Sequence, residues 1–305
     1  PHGPVFDRNA HLDAVKTAQV AHRQASNSAH DLSLEVMLGD GEGSLADLLA
    51  KRMAAVRGTG HWLAASPATR QGEVLTADEF RAGISTRYAK RPPFLQDTCD
   101  GCGAATDLHH SLVCALGGLV ISKHNTIRDA LFELAEEAFG KSRVGNEPTI
   151  YPPGYKHPDA NGQRGDVSVM GLWARAIKCI IDAVVPHAES ESNLAKSPEA
   201  VVRSAQLKKK REYGAVCRAR RLHFSPFAVT TSGILAPEAK ALLKKFARVL
   251  ADRWGQPLSV TTNYVVTKVS LAVVKATHDT IFGARARSGF GPCPTTEADL
   301  PLGPN

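Results

Sequence analysis

The stretch RGDVSVMGLWARAIKCIIDAVV, residues 164–185, decides how the chain is read. Val167 to Met170 and Ile177 to Val185 have the β-branched, apolar character of strands, the second run most strongly. Upstream, Glu147 to Tyr151 is a further short strand candidate, followed by a Pro/Gly/Asn loop to Gly165. Downstream, Phe224 to Thr231 reads as a strand. Helical patterns flank these runs. Thr126 to Phe139 carries an apolar stripe of Ile127, Leu131, Leu134, Ala135 and Ala138, and Gly140 stops it. Ser197-Pro198-Glu199 supplies a cap, a first-turn proline and an acidic first turn. The helix it opens bears the run Lys208-Lys209-Lys210-Arg211. Pro237 to Trp254 is a basic amphipathic helix, and a last helix covers about Thr261 to Phe282. Helices interleaved with strands in this order predict an α/β fold with a mixed sheet.

The N-terminal part differs. Residues 7–57 read as helices, with leucines at helical spacing broken at Gly39-Asp40-Gly41-Glu42-Gly43. A connection around Trp62-Leu63 follows. Thr76-Ala77-Asp78-Glu79 then caps a helix through Arg87-Tyr88, which Arg91-Pro92-Pro93 ends. Five regions result: a helical region 1–95, a cysteine-rich module 96–125, a sheet-containing core 126–232, basic helices 233–283 and a loose tail 284–305. No internal repeat is visible.

The chain has 305 residues, enough for about two domains. Hydrophobic residues make up 43% and charged residues 22%, which excludes general disorder. The net charge of +7 points to a polyanionic partner, nucleic acid first. Aromatic residues are only 6%, too few for a surface built on many stacking rings. No apolar run reaches the length of a membrane span, and the start, Pro1-His2-Gly3-Pro4, has no basic-then-apolar signal pattern. An intracellular chain with reduced cysteines is expected, so tightly spaced cysteines point to metal.

Cys99 and Cys102 form a tight pair. His110 follows after seven intervening residues and Cys114 after three more. Two thiolates on a sharp turn, with a histidine and a cysteine from the next segment, complete a closed and therefore structural zinc shell. Gly101 and Gly103 suit the turn. His109 is an alternative ligand to His110, and two buried, unliganded cysteines are the alternative to metal. Cys179, Cys217 and Cys293 read as core or tail residues.

Asp166 opens one strand, and Asp182 lies amid β-branched neighbours in the next. A buried carboxylate needs a cation or a partner. Two aspartates on adjacent strands can converge on one Mg²⁺. A strand-edge aspartate and a salt-bridged one are the competing reading. An acid at position 182 and a residue two further on share a face of the strand, but that residue is Val184. A lysine would have to come from Lys208, Lys209 or Lys210, although that run also suits a solvated face or phosphate contact through Lys208, Lys209, Lys210 and Arg211. Glu133, Glu136 and Glu147 are further acidic candidates beside an exposed-face reading.

Together these residues resemble a family. The pattern runs through Trp62-Leu63, Glu79-Phe80-Arg81, Arg87-Tyr88, Cys99-Asp100-Gly101-Cys102, His110, Cys114, Gly117-Gly118-Leu119-Val120, His124-Asn125 and Ile127-Arg128-Asp129. It continues through Glu147-Pro148, Arg164-Gly165-Asp166, Gly171-Leu172-Trp173, Cys179-Ile180-Ile181-Asp182, Lys209-Lys210-Arg211, Tyr213, His223-Phe224, Pro226-Phe227 and Ala276-Thr277-His278. It is similar to the region after the polymerase in non-LTR retrotransposons with a CCHC zinc knuckle and a restriction-like endonuclease. That endonuclease resembles the PD-(D/E)xK nuclease superfamily. The resemblance implies zinc on Cys99, Cys102, His110 and Cys114, Mg²⁺ on Asp166 and Asp182, and a displaced lysine, Lys209 or Lys210. It implies a restriction-endonuclease-like core with flanking helices, a polymerase-thumb remnant in 1–95, and DNA, with element RNA, as partner in the nucleus. The implied activity is nicking of target DNA to prime reverse transcription. No Tyr-x-Asp-Asp polymerase signature is present. Gly165 replaces the family's proline and Val184 a polar or basic residue, so a catalytically decayed nucleic-acid-binding remnant is the alternative.

Overall fold

The computed structural model describes residues 59–65, 74–88, 90–151 and 164–285. The expected helices in 7–57, the loop over 152–163, and Cys293 with the tail beyond 285 lie outside the described residues. Helix α1 spans Ala77–Arg87 and is opened by a full capping box: the Thr76 side chain accepts from Glu79 N–H, and Glu79 reciprocates on Thr76 N–H. Helix α2, Leu108–Val113, is short and is capped by Asp107. Helix α3 spans Leu119–Phe139. Strand β1 is Val144–Asn146, β2 Val167–Met170 and β3 Lys178–Val184. Helix α4, Pro198–Ala219, begins at the expected Ser197 cap and leads to β4, His223–Ala228. Helices α5, Pro237–Trp254, and α6, Leu258–Phe282, complete the described chain.

The four described strands run in the order β1-β2-β3-β4. β1 and β2, and β2 and β3, are antiparallel, whereas β3 and β4 are parallel across α4. The expected mixed α/β sheet is therefore present. Strand alternation divides its faces. Cys179, Ile181 and Ala183 join Val167 and Val169 in the main core with Ile127 and Leu131 of α3, Leu242 and Phe246 of α5, and Val265 of α6. Ile180 points the other way, against Tyr213 and Cys217 of α4 and Ile150. Cys179 and Cys217 are buried core residues, as read from the sequence.

Four boundaries differ from the sequence reading. The strand expected at Glu147 to Tyr151 lies earlier, at Val144–Asn146. Glu147 takes a left-handed φ of 44°, and Pro148 has no N–H to give to a ladder; only Thr149 makes an isolated bridge, to Arg164. The helix read from Thr126 starts at Leu119, because Gly117 and Gly118, with φ of 79° and 77°, turn the chain directly into it. β4 stops at Ala228, where the chain turns back at Gly233 and Val229 bridges Leu235. The last helix begins at Leu258, directly after Pro257.

Candidate functional site

Two side-chain clusters concentrate the chemistry. The first is built on a tight turn and a short helix. Cys99 N–H donates to Ala104 O and Gly103 N–H to Cys99 O, folding Cys99 and Cys102 onto one side, with Gly103 at φ 75°. Asp107 accepts from His110 N–H and so fixes the start of α2. His110 and Cys114, four residues apart, share a helix face. Cys99 Sγ lies 3.9 Å from Cys114 Sγ, and Cys102 Sγ 3.3 Å from His110 Nε2. All four ligand atoms lie within 4.8 Å of one another. A tetrahedral zinc with Zn–S bonds of about 2.3 Å would hold its sulfurs about 3.8 Å apart. The cluster therefore has the composition and spacing to hold a metal ion and is compatible with structural zinc. Burial pushes the Cys99 thiol up. Hydrogen bonds from the Cys102 amide, His110, the Gly101 amide and the Cys102 side chain outweigh it and bring the thiol down to about 6. A lowered thiol is what a thiolate ligand needs. His109 is turned away from the sulfurs and shares a 3.0 Å hydrogen bond with His187.

The second cluster lies on the α4 side of the sheet. Val167 pairs with Ile181 and Ser168 with Ile180. The ladder ends at the Val167–Ile181 pair, and Asp166, the residue just before it, lies near enough to Asp182 for the two charges to act on one another. Asp166 N–H donates to Ile181 O at 3.0 Å, one residue out of the ladder's register, which ties the residue to β3 beyond the end of β2. One Asp166 oxygen accepts from Ala183 N–H, and the other from His124 Nε2 of α3 at 2.8 Å. Lys209 of α4 brings its ammonium 2.8 Å from Asp182 Oδ2 and 5.3 Å from the centre of the Tyr213 ring.

Burial pushes the Asp182 carboxyl up to about 6; the Lys209 charge pulls it back and the Asp166 charge adds to the rise. Burial opposes a charged His124, but the hydrogen bond and charge of Asp166 outweigh it, so the imidazole titrates above its ordinary range. The same balance, with Asp182 as partner, raises Lys209. Two carboxyl groups, an imidazole and an ammonium are thus held in one partly dehydrated patch.

Helix geometry separates the basic run. Successive residues of a helix diverge by about 100°, so only Lys209 meets the aspartates. Lys210 pairs with Glu238 at the start of α5. Lys208 and Arg211 are exposed. Glu133 pairs with Lys268, and Glu147 with Arg128 and Arg164. Val184 packs against the main core, leaving the ammonium to arrive from α4. Gly165 has a local cause: its N–H donates to Pro148 O at 2.8 Å, and a Cβ there would lie 2.4 Å from Ile180 Cγ2. His124 is the one member of the cluster that spacing did not single out. Its position on a helix gave no hint that it reaches a strand 42 residues away.

No helix among the described residues is long and apolar enough to cross a membrane. No family model and no curated protein matches this chain.

Proposed function

We propose that this chain is a Mg²⁺-dependent DNA endonuclease unit of retroelement type, with a restriction-like core and a structural zinc knuckle on Cys99, Cys102, His110 and Cys114. The observation that carries the reading is the neighbouring carboxylates of Asp166 and Asp182, with Lys209 2.8 Å from Asp182. Neighbouring carboxylates would offer hard oxygen donors to a divalent cation, with water and substrate phosphate completing the shell. Bound there, Mg²⁺ would polarise the phosphodiester and ease ionisation of the attacking water. The protein's own part is positioning. His124 and the Ala183 N–H hold both oxygens of Asp166 in place. Lys209 keeps a positive charge beside Asp182 and can meet the phosphate oxygens as negative charge gathers on them. Hydrolysis joins water oxygen to phosphorus, breaks one P–O ester bond and returns a proton to the leaving alkoxide. DNA, with element RNA, would be the partner, and the nucleus the place of action.

The test is incubation of supercoiled plasmid with the protein and Mg²⁺. Asp182→Ala should abolish nicking and leave zinc content unchanged. Nicking that persists in Asp182→Ala would overturn the assignment of chemistry to this pair. Val184, apolar where the resemblance expects a polar or basic residue, favours a second reading, a decayed copy. That reading takes over if the unmodified chain binds DNA in a salt-dependent manner but never nicks it.

A further inference from the structure

On the face of α4 opposite Lys209, an open groove of about 970 Å³ runs along the β4 edge of the sheet to the start of α5. Leu207, Lys210, Arg211, Gly214 and Arg218 line it from α4, at the spacing of one helical stripe. Its other wall is Phe224 and the Trp173 ring. Trp173 is 41% exposed, yet it is not free to swing: its indole N–H donates to Ser225 Oγ at 2.8 Å. Phe80, Phe94, Trp254 and Phe282 are exposed as well among the described residues, but of these aromatics Trp173 is the one that lines the groove. Lys210 is neutralised by Glu238, but Arg211 and Arg218 have no acidic partner among the described residues. A pinned aromatic ring beside unpaired guanidinium groups matches the chemistry of an unpaired nucleotide, whose base stacks while its phosphate is held by charge. A duplex, with its bases already stacked on one another, could not use the ring.

We infer that this groove binds single-stranded nucleic acid, stacking a base on Trp173 and holding the flanking phosphates with Arg211 and Arg218. It is a site separate from the Asp166–Asp182 pair and lies across α4 from it, roughly one helix diameter, about 10 Å, away. The inference rests on the reading of the chain as a nucleic-acid enzyme. It adds that one helix serves two strands: Lys209 faces the strand to be cut, and the opposite stripe retains an unpaired one.

The experiment is fluorescence anisotropy of the full chain with a labelled oligothymidylate of about ten nucleotides and, separately, a labelled duplex. Trp173→Ala should weaken single-strand binding about ten-fold, and Trp173→Phe should restore most of it. Arg211→Ala with Arg218→Ala should weaken it and lower the salt slope by about 1–2. Asp182→Ala should leave single-strand binding unchanged. Should Trp173→Ala misfold, the Trp254→Phe chain provides the second measurement. Its indole emission should be quenched on adding the oligonucleotide, because Trp62 is buried and Trp173 is then the exposed indole among the described residues. Single-strand affinity indifferent to Trp173 in a folded variant, or unquenched emission at saturation, overturns the groove. A chain that nicks duplex but behaves this way loses only the groove. A chain that binds neither oligonucleotide nor duplex loses the nucleic-acid reading itself.

Discussion

Asp182 is the residue on which acid–base behaviour turns. Its carboxyl titrates at about 6, against 3.8 when solvated. Between about pH 4 and 6 the folded chain keeps a proton that the unfolded chain has lost. The contribution of Asp182 to stability therefore declines as pH rises through that window and stays low above it. On the proposed reading a divalent cation would bind the ionised pair, and so would compete with the proton. Mg²⁺ is expected to raise the thermal midpoint near neutral pH by a few degrees, roughly what 1 kcal/mol gives a domain of this size, with the effect fading below about pH 6. In Asp182→Asn the Mg²⁺ effect should vanish at every pH; a full shift in that variant would move the cation elsewhere. Nicking should follow the same profile, rising with pH through about 6. Both aspartates stood out in the sequence, as carboxylates among strand-forming neighbours. His124 did not, since a contact between a helix and a distant strand has no local signature.

At the scale of elements, the sequence was most legible where a side chain and the backbone agree locally. The Thr76 and Ser197 caps and the Pro237 start of α5 appear at the expected residues. Boundaries moved where conformation overrode composition: Gly117-Gly118 starts α3 early, and the left-handed Glu147 denies β1 its expected place. Gly165 offers an element-scale test. Gly165→Ala should cost about 1–3 kcal/mol by crowding Ile180, and Gly165→Pro more, through the added loss of the bond to Pro148. Denaturant unfolding measures both; a proline variant as stable as the parent would contradict the packing described. The turn and helix holding the cysteine cluster make a second test. About one zinc per chain is expected by elemental analysis, lost in Cys99→Ser with partial unfolding and kept in His109→Ala, whose ring serves His187. Zinc lost in both variants alike would mean that the ligand set is mistaken.

Over the whole molecule, the net charge of +7 sets how the chain meets a polyanion. Duplex binding should fall steeply with added salt, because each phosphate contact releases counterions. Reversing Lys208, Lys210 and Arg211 to Glu should reduce both the affinity and the slope, and a slope near zero in the parent chain would remove the electrostatic argument. The α/β class was readable from the sequence because strand-like and helix-like periods alternate. That Asp166 and Asp182 lie on neighbouring strands was read too, but the slip of register at Asp166 was not, because register depends on partners far along the chain. One long-range contact has a consequence in time. Arg285, just beyond α6, donates its backbone N–H to Asp100 and its guanidinium to Ser111 O, and its side chain packs against Gly101 and Gly117. The Asp100 bond joins residues 185 positions apart. A chain emerging from the ribosome makes its cysteine turn early and meets this buckle only at the far end of the last described helix. The nascent module should therefore exchange metal freely at first and grip it later. Arg285→Ala would leave the finished protein in that earlier condition, surrendering zinc to a chelator faster than the parent does.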